Sequence, residues 1–341
     1  MPDVQEVFRA ATEKVRPDPG FLERHERLAS RRSRNRRAGV VAVVAAIVFA
    51  LLLVALTSVP GQRSEPANPT PTGASTPGGR SFFVDLQSGT TTPLPDAISA
   101  EGWAYPVSPD GKRFTYTTCC EPGVMVPDVY ESDVDGTNVR RLVQSGAYGP
   151  QWSPDGSRIV FHKYNGILGD VYVVDVSTRH VQRVTHLMQW MAGWFFTAPI
   201  FAPNGETILF QLPRYTHGDH VWDLWSVPSD GGKETLVRRN AGFGSYSPSG
   251  RTLAYLSPID ADRFDGRALW TVDVAGGAPR ELARGGKIAW PRWSPDGTRI
   301  SYAQRGTVYV LDLATGASTP VAAGGVAEWF DDDTLVVGDG S

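Results

Sequence analysis

From residue 81 onward apolar and polar residues alternate in short runs, and turn residues interrupt the runs at regular intervals. "QWSPDGSRIVF" (151–161) shows the unit: a polar–apolar pair, then Ser-Pro-Asp-Gly, then a run that alternates again. Pro presets the backbone of the first central turn position, Asp suits the second, and Gly takes the left-handed position that follows. Each such unit predicts a tight β-hairpin. The unit recurs as "VSPDGKRFTY" (107–116), "FAPNGETILF" (201–210), "YSPSGRTLAY" (246–255) and "WSPDGTRISY" (293–302).

Spacing turns the hairpins into an architecture. Asp110, Asp155, Asn204, Ser249 and Asp296 hold equivalent positions 45 to 49 residues apart, the period of a four-stranded propeller blade. Each hairpin is followed by a third-strand segment: "DVYESDVDG" (128–136), "DVYVVDVST" (170–178), "DLWSVPSDG" (223–231), "RALWTVDVAGG" (267–277) and "GTVYVLDLATG" (306–316). Asp133, Asp175, Asp273 and Asp312 close four of them, and Pro228 stands in the fifth. Segments such as "VRRLV" and "VQRVT" then read as fourth strands. Near the end, "AEWFDDDTLVVGDGS" (327–341) gives a degenerate first hairpin only. The missing third strand is at the other end, in "SFFVDLQSGTTTPLP" (81–95), with Asp85 in place. The prediction is an all-β, six-bladed propeller whose last blade is closed by both termini, an arrangement that leaves no free edge at the joint.

The stretches Pro150 to Gly156 ("PQWSPDG") and Pro291 to Gly297 ("PRWSPDG"), and more loosely Pro199 to Gly205, resemble the TolB-like β-propellers, whose blades carry P-x-W-S-P-D-G before an apolar strand. The resemblance covers roughly residues 81–341 and implies the fold. It implies less about function, because propellers serve as scaffolds, receptors and enzymes alike.

Upstream the pattern changes. Residues 38–58, "AGVVAVVAAIVFALLLVALTS", carry no charge and are long enough to span a bilayer as one helix. The arginine-dense "RHERLASRRSRNRR" (24–37) precedes them, which predicts a cytoplasmic N-terminus and a propeller outside the membrane. The apolar run is too long for a cleaved signal peptide. Residues 59–80, rich in Pro, Thr, Ser and Gly, read as a linker. Residues 1–37 form a basic tail in which Val4, Phe8, Ala11 and Val15 share one helical face before Pro17. That face suits either the membrane surface or a cytoplasmic partner.

Charge supports the partition. The formal net charge is −3, and residues 1–80 hold 12 basic and 7 acidic groups, leaving the ring at −8. An acidic outer domain argues against nucleic acid as partner. Basic charge is mostly arginine, and the layout is similar to that of actinobacterial membrane proteins.

Candidate chemistry is sparse. No G-x-S-x-G nucleophile elbow is present; "GFGSYSPSG" (242–250) is better read as a blade hairpin. His162, His186, His217 and His220 fall in connections that propeller topology gathers over two adjacent blades, with Asp219 nearby. Imidazoles so placed could take a transition metal; bonded to backbone or water, they are ordinary loop histidines, and no cofactor is called for. Because some TolB-like propellers are metal-dependent polysaccharide lyases, the resemblance carries a carbohydrate-active enzyme as the alternative. The same face holds "LMQWMAGWFFTAPIF" (187–201), where Trp190, Met191, Trp194, Phe195 and Phe196 are the preferred binding residues for a protein or cell-envelope glycan. "DADRFDGR" (260–267) and "DDD" (331–333) read as solvated acidic loops that only partly fit a calcium loop. Cys119 and Cys120 read as thiols by default, since a vicinal disulfide would be strained. The expected function is non-catalytic binding at the cell envelope.

Overall fold

A computed structural model describes residues 81–95, 106–117, 127–144, 146–164, 169–187, 198–216, 219–260 and 263–338. The predicted tail, transmembrane helix and linker of residues 1–80 lie outside the described residues. Among the described residues no helix is long and apolar enough to cross a membrane.

Six antiparallel sheets follow one another along the chain, and each repeat forms one of them. Blade 6 is the exception in chain order. It contains β1 (Ser81–Asp85) and β2 (Thr91–Pro93) from the start, and β22 (Val326–Trp329) and β23 (Thr334–Gly338) from the end. Its strand order is β2-β1-β23-β22, as the two-ended closure requires. Blade 1 comprises β3 (Arg113–Thr117), β4 (Val129–Asp133) and β5 (Arg140–Val143). It has three strands among the described residues, with a single bridge from Val107 to Phe114 where the innermost strand was expected.

Blades 2 to 5 each have four strands in chain order. Blade 2 has β6 (Ala147–Trp152), β7 (Arg158–Tyr164), β8 (Gly169–Asp175) and β9 (Val181–Arg183). Blade 3 has β10 (Ile200–Phe201), β11 (Thr207–Thr216), β12 (Asp219–Pro228) and β13 (Thr235–Arg238). Blade 4 has β14 (Gly242–Tyr246), β15 (Thr252–Asp260), β16 (Arg263–Asp273) and β17 (Arg280–Gly286). Blade 5 has β18 (Ile288–Trp293), β19 (Arg299–Gln304), β20 (Thr307–Asp312) and β21 (Ser318–Ala323).

The hairpin motif builds the turn its chemistry predicts. Gly111, Gly156, Gly205, Gly250 and Gly297 have φ of 70°, 69°, 72°, 71° and 71°, so five copies share one left-handed position. Within the turn, Ser153 Oγ donates to Asp155 Oδ1 (2.5 Å) and accepts from Arg158 N (2.9 Å), while Ser157 N donates to Asp155 Oδ1 (3.1 Å). Ser108 with Asp110, and Ser294 with Asp296, repeat this arrangement. The aspartates that end third strands make the next turn: Asp175 Oδ1 accepts from Thr178 N (2.7 Å), and Asp312 Oδ1 from Thr315 N (2.7 Å). These side chains are committed to backbone.

The core sits between blades. Six buried apolar clusters are distributed one to each junction, including the junction of blade 6 with blade 1, where Leu94, Phe114, Tyr116 and Val336 meet. Tryptophans at the ends of innermost strands tie neighbours together. Trp152 Nε1 donates to Pro106 O (3.1 Å), Trp293 Nε1 to Ser245 O (3.0 Å), and Trp329 Nε1 to Arg292 O (3.0 Å). In three blades the arginine five residues after the motif serine lies over the next blade's aromatic ring: Arg113 over Trp152 at 4.7 Å, Arg158 over Phe201 at 5.1 Å, and Arg299 over Trp329 at 5.3 Å. Outer strands carry Arg140, Arg141, Arg183, Arg238, Arg280 and Pro320, which discourage edge-to-edge pairing.

The turn aspartates predict an acid response. Hydrogen bonds from Ser153 and Ser157 hold the Asp155 carboxyl down at about 2, and those from Thr178 and Ser177 do the same for Asp175. An unfolded aspartate titrates near ~3.9. A depressed folded pKa contributes stability that is full above the unfolded value and is lost as pH falls toward the folded one. The melting temperature should therefore drop between about pH 4 and pH 2. Asp155→Asn/Asp175→Asn should flatten that drop; an unchanged slope by calorimetry would exclude these turns as its source.

Candidate functional site

Strand direction divides the ring into two faces. Turns between strands 1 and 2 and between 3 and 4 lie on one, the turn face. Connections between strands 2 and 3, and from each blade to the next, lie on the other, the loop face. The turn face repeats one short design. On the loop face the connections differ from blade to blade, from the two residues Arg305 and Gly306 between β19 and β20 to residues 184–199 between β9 and β10. Loops on a rigid scaffold are where binding residues concentrate.

Buried carboxylates anchor this face. Asp170, 4% exposed at the start of β8, accepts from Leu187 N (2.7 Å), Thr185 Oγ1 (2.9 Å) and Arg183 Nη2 (2.5 Å). It thereby fixes the point from which the chain leaves blade 2. Asp223 does the same in blade 3, accepting from Asn240 N (2.9 Å) and taking Arg214 through both oxygens (2.8 and 3.2 Å). Burial pushes the Asp223 carboxyl up, but Arg214, Asn240 N and Arg239 together hold it below the usual range. At the far end of the 184–199 connection, Gly149 (φ 58°) accommodates Ala198: a Cβ on Gly149 would lie 2.9 Å from the Ala198 Cα. Asp128, Asp170 and Asp223 were visible as the first letters of "DVY", "DVY" and "DLW", but their role depends on contacts across the blade.

The predicted site residues fare unequally. Trp190, Met191, Trp194, Phe195 and Phe196 lie outside the described residues, as do Cys119, Cys120 and His217. His162 is not in a connection. β7 continues past it to Tyr164, and His162 is 1% exposed inside the sheet, opposite Tyr148 and Val171. The alternating pattern carries the strand two residues further than the turn-based reading allowed. His186 is exposed in the blade 2 to blade 3 connection, where its N donates to Glu234 Oε1 (3.5 Å). His220 stands on β12 opposite Tyr215. Among the described residues no three or more His, Cys, Asp or Glu side chains are grouped to hold a metal. Asp260 pairs with Arg263 across a β15–β16 hairpin, and Asp331 Oδ1 accepts from Asp333 N (2.9 Å) in a tight turn.

Two residues that sequence reasoning missed stand out on the innermost strands. Blades 2, 4 and 5 have a bulge there, and its left-handed residue is Gly149 (φ 58°) in blade 2, Phe243 (φ 54°) in blade 4 and Trp290 (φ 55°) in blade 5. The same position thus holds Gly once and a bulky aromatic twice. A left-handed conformation costs a residue with a Cβ roughly 1–2 kcal/mol, and Pro291 restricts Trp290 further. The rings meet edge to face at 5.1 Å and 82°. Gln211 Oε1 accepts from Phe243 N (2.9 Å), Arg267 lies 4.8 Å over the Phe243 ring, and its Nη1 donates to Ile288 O (3.2 Å). The signal was present in the sequence, since "GPQW", "FGSY" and "WPRW" align with Gly, Phe and Trp in first place. Deeper along the same strands, Arg292 and the largely buried Glu328 form an ion pair between blades 5 and 6 at 3.0 Å.

Comparison with known proteins agrees with this geometry. Residues 121–319 match the family profile described as the TolB beta propeller domain. An uncharacterised protein of Agrobacterium fabrum is 27% identical over 210 residues, covering 58% of this chain and 67% of its own. The Tol-Pal system protein TolB of Francisella tularensis is 24% identical over 228 residues, covering 62% of this chain and 50% of its own. This chain therefore spans about half the length of that relative. The crystal structure of TolB from Acinetobacter baumannii superposes with a TM-score of 0.53 at 18% identity, covering 72% of this chain and 65% of its own. That likeness concerns the fold.

Proposed function

We propose, from the premise that this chain belongs to the TolB β-propeller domain family, that it is a non-catalytic binding protein of the cell envelope whose loop face holds a protein partner. The observation that carries this reading is the asymmetry of the ring. The turn face spends its polar side chains on its own backbone, whereas the loop face combines dissimilar connections with backbone strain at Phe243 and Trp290. Strained residues persist where the surrounding structure holds them, and they cluster at binding sites. Residues 38–58 would anchor the protein with its N-terminus inside, and the tail of residues 1–37 would pass the binding event to a cytoplasmic partner. The carbohydrate-active alternative rested on four histidines above adjacent blades. His162, enclosed within its sheet, is not available to such a set, and the reading is not carried further.

The test uses the full chain in its own membranes, with a photo-crosslinking residue at His186 or Gln144 on the loop face, or at Ala275 or Ala314 on the turn face. A discrete adduct should form from the loop face alone. Equal labelling from both faces, or none from the loop face, would overturn the assignment.

A further inference from the structure

Seven described non-glycine residues have a left-handed backbone, and five of them (Asn240, Phe243, Lys287, Trp290 and Arg305) lie on the loop face around blades 4 and 5. Strain is thus concentrated in one sector rather than spread over the ring. Two of the five are cations. Ile288 pairs with Gln304 at the end of the β18–β19 ladder, and Lys287 and Arg305 are the next residues beyond that pair. Both are exposed. No carboxylate among the described residues pairs with either. The neighbouring arginines are already engaged: Arg284 with Glu281 (2.7 Å), Arg292 with Glu328 (3.0 Å), and Arg267 with the Phe243 ring and Ile288 O. In a ring of net charge −8, this is a local cationic spot beside an apolar pair.

From these placements we propose that the rim of blades 4 and 5 receives an acidic peptide segment of a protein partner. Its carboxylates would meet Lys287 and Arg305, and an apolar side chain would seat against Phe243 and Trp290. The inference rests on the loop face being the partner-binding face, and it adds the chemistry of the partner. A peptide fits better than a polyanionic sugar chain. Sugars stack on open ring faces, and here Arg267 covers one face of Phe243 while Trp290 meets that ring edge to face. Opposite charge across an interface also speeds encounter and fixes register.

The test measures fluorescence anisotropy of the full chain with a short labelled peptide of alternating glutamate and leucine. A glutamine counterpart and a sulfated dextran serve as competitors. The glutamate peptide should bind in a salt-sensitive way, and the glutamine peptide should not. Lys287→Glu/Arg305→Glu should weaken binding by roughly tenfold or more. Trp290→Gly should weaken it too while the melting temperature holds, because glycine suits the backbone at that position. Absence of binding, binding indifferent to the charge reversals, or displacement by dextran that is insensitive to Trp290→Gly would each overturn the proposal. Should the loop-face adduct persist in the charge-reversed chain, the acidic-peptide inference falls and the binding face stands. Should no loop-face adduct form in the unaltered chain, both fall.

Discussion

Val84→Asp is expected to prevent the ring from closing. Val84 is 1% exposed in the middle of β1, paired with Leu335 on one side and Thr91 on the other. It packs with Val308, Val310, Trp329 and Val337 in the core between blades 5 and 6. A carboxylate placed there has no cation to meet, and an unpaired buried charge costs several kcal/mol even after relaxation. Folded domains hold only about 5–15 kcal/mol in total. The cost falls on the one blade assembled from both chain ends, where folding must close the longest loop in the molecule. Urea unfolding should show a chain already open in the absence of denaturant, and limited proteolysis should cut throughout residues 81–341. Val84→Ala serves as the control: it removes methyl groups only and should leave a folded ring with a lower midpoint. A folded, protease-resistant Val84→Asp chain would show that blade 6 is dispensable for the other five.

The second large effect is expected at Trp152, which serves blades 1 and 2 at once. Its ring fills the junction with Val129, Leu142 and Phe161, its Nε1 donates to Pro106 O at 3.1 Å, and Arg113 lies over its face at 4.7 Å. Arg113 in turn pairs with buried Glu131, which Arg140 also holds. Trp152→Ala should cost about 3–5 kcal/mol, the range for removing a large buried aromatic. The loss has a further consequence, because Arg113 no longer has a ring against which to orient toward Glu131. Trp152→Phe keeps most of the packing and loses the indole bond, so about 1 kcal/mol is expected. Denaturant midpoints for the two variants separate the contributions. Equal losses would mean that the hydrogen bond, rather than the packing, ties the blades.

Much of this was legible in the sequence because the repeated elements are local. Pro154-Asp155-Gly156 determines a turn through its own backbone preferences, and the left-handed angle at Gly156 is what the motif foretold. Asp85 marked residues 81–95 as a third strand without a blade of its own, and the pairing of β1 with β23 completes that blade. What escaped notice depends on neighbours distant in the chain. That Arg158 rests on Phe201, or that Asp170 captures Leu187 N, follows from how blades pack and not from spacing. His162 was misplaced because the motif fixes where β7 begins but nothing nearby fixes where it ends. The binding sector around Trp290 was hardest to see. Strain is a property of the backbone, and the sequence hints at it only through an aromatic aligned with Gly149.

The position of β1 within blade 6 has a mechanical consequence. β1 is not an edge strand: Ser81 to Asp85 are paired with Gly338 to Thr334 on one side, and Phe82 to Val84 with Pro93 to Thr91 on the other. Tension entering the ring at Ser81 along the strand axis is therefore carried by two ladders in shear, whose bonds must yield together. A terminal strand at the rim would instead peel away one pair at a time. The ring is thus held through two ladders at the strand where its chain enters, and a pull on the upstream segment is transmitted to β23 and the blade 5 junction before it can unlace the closure.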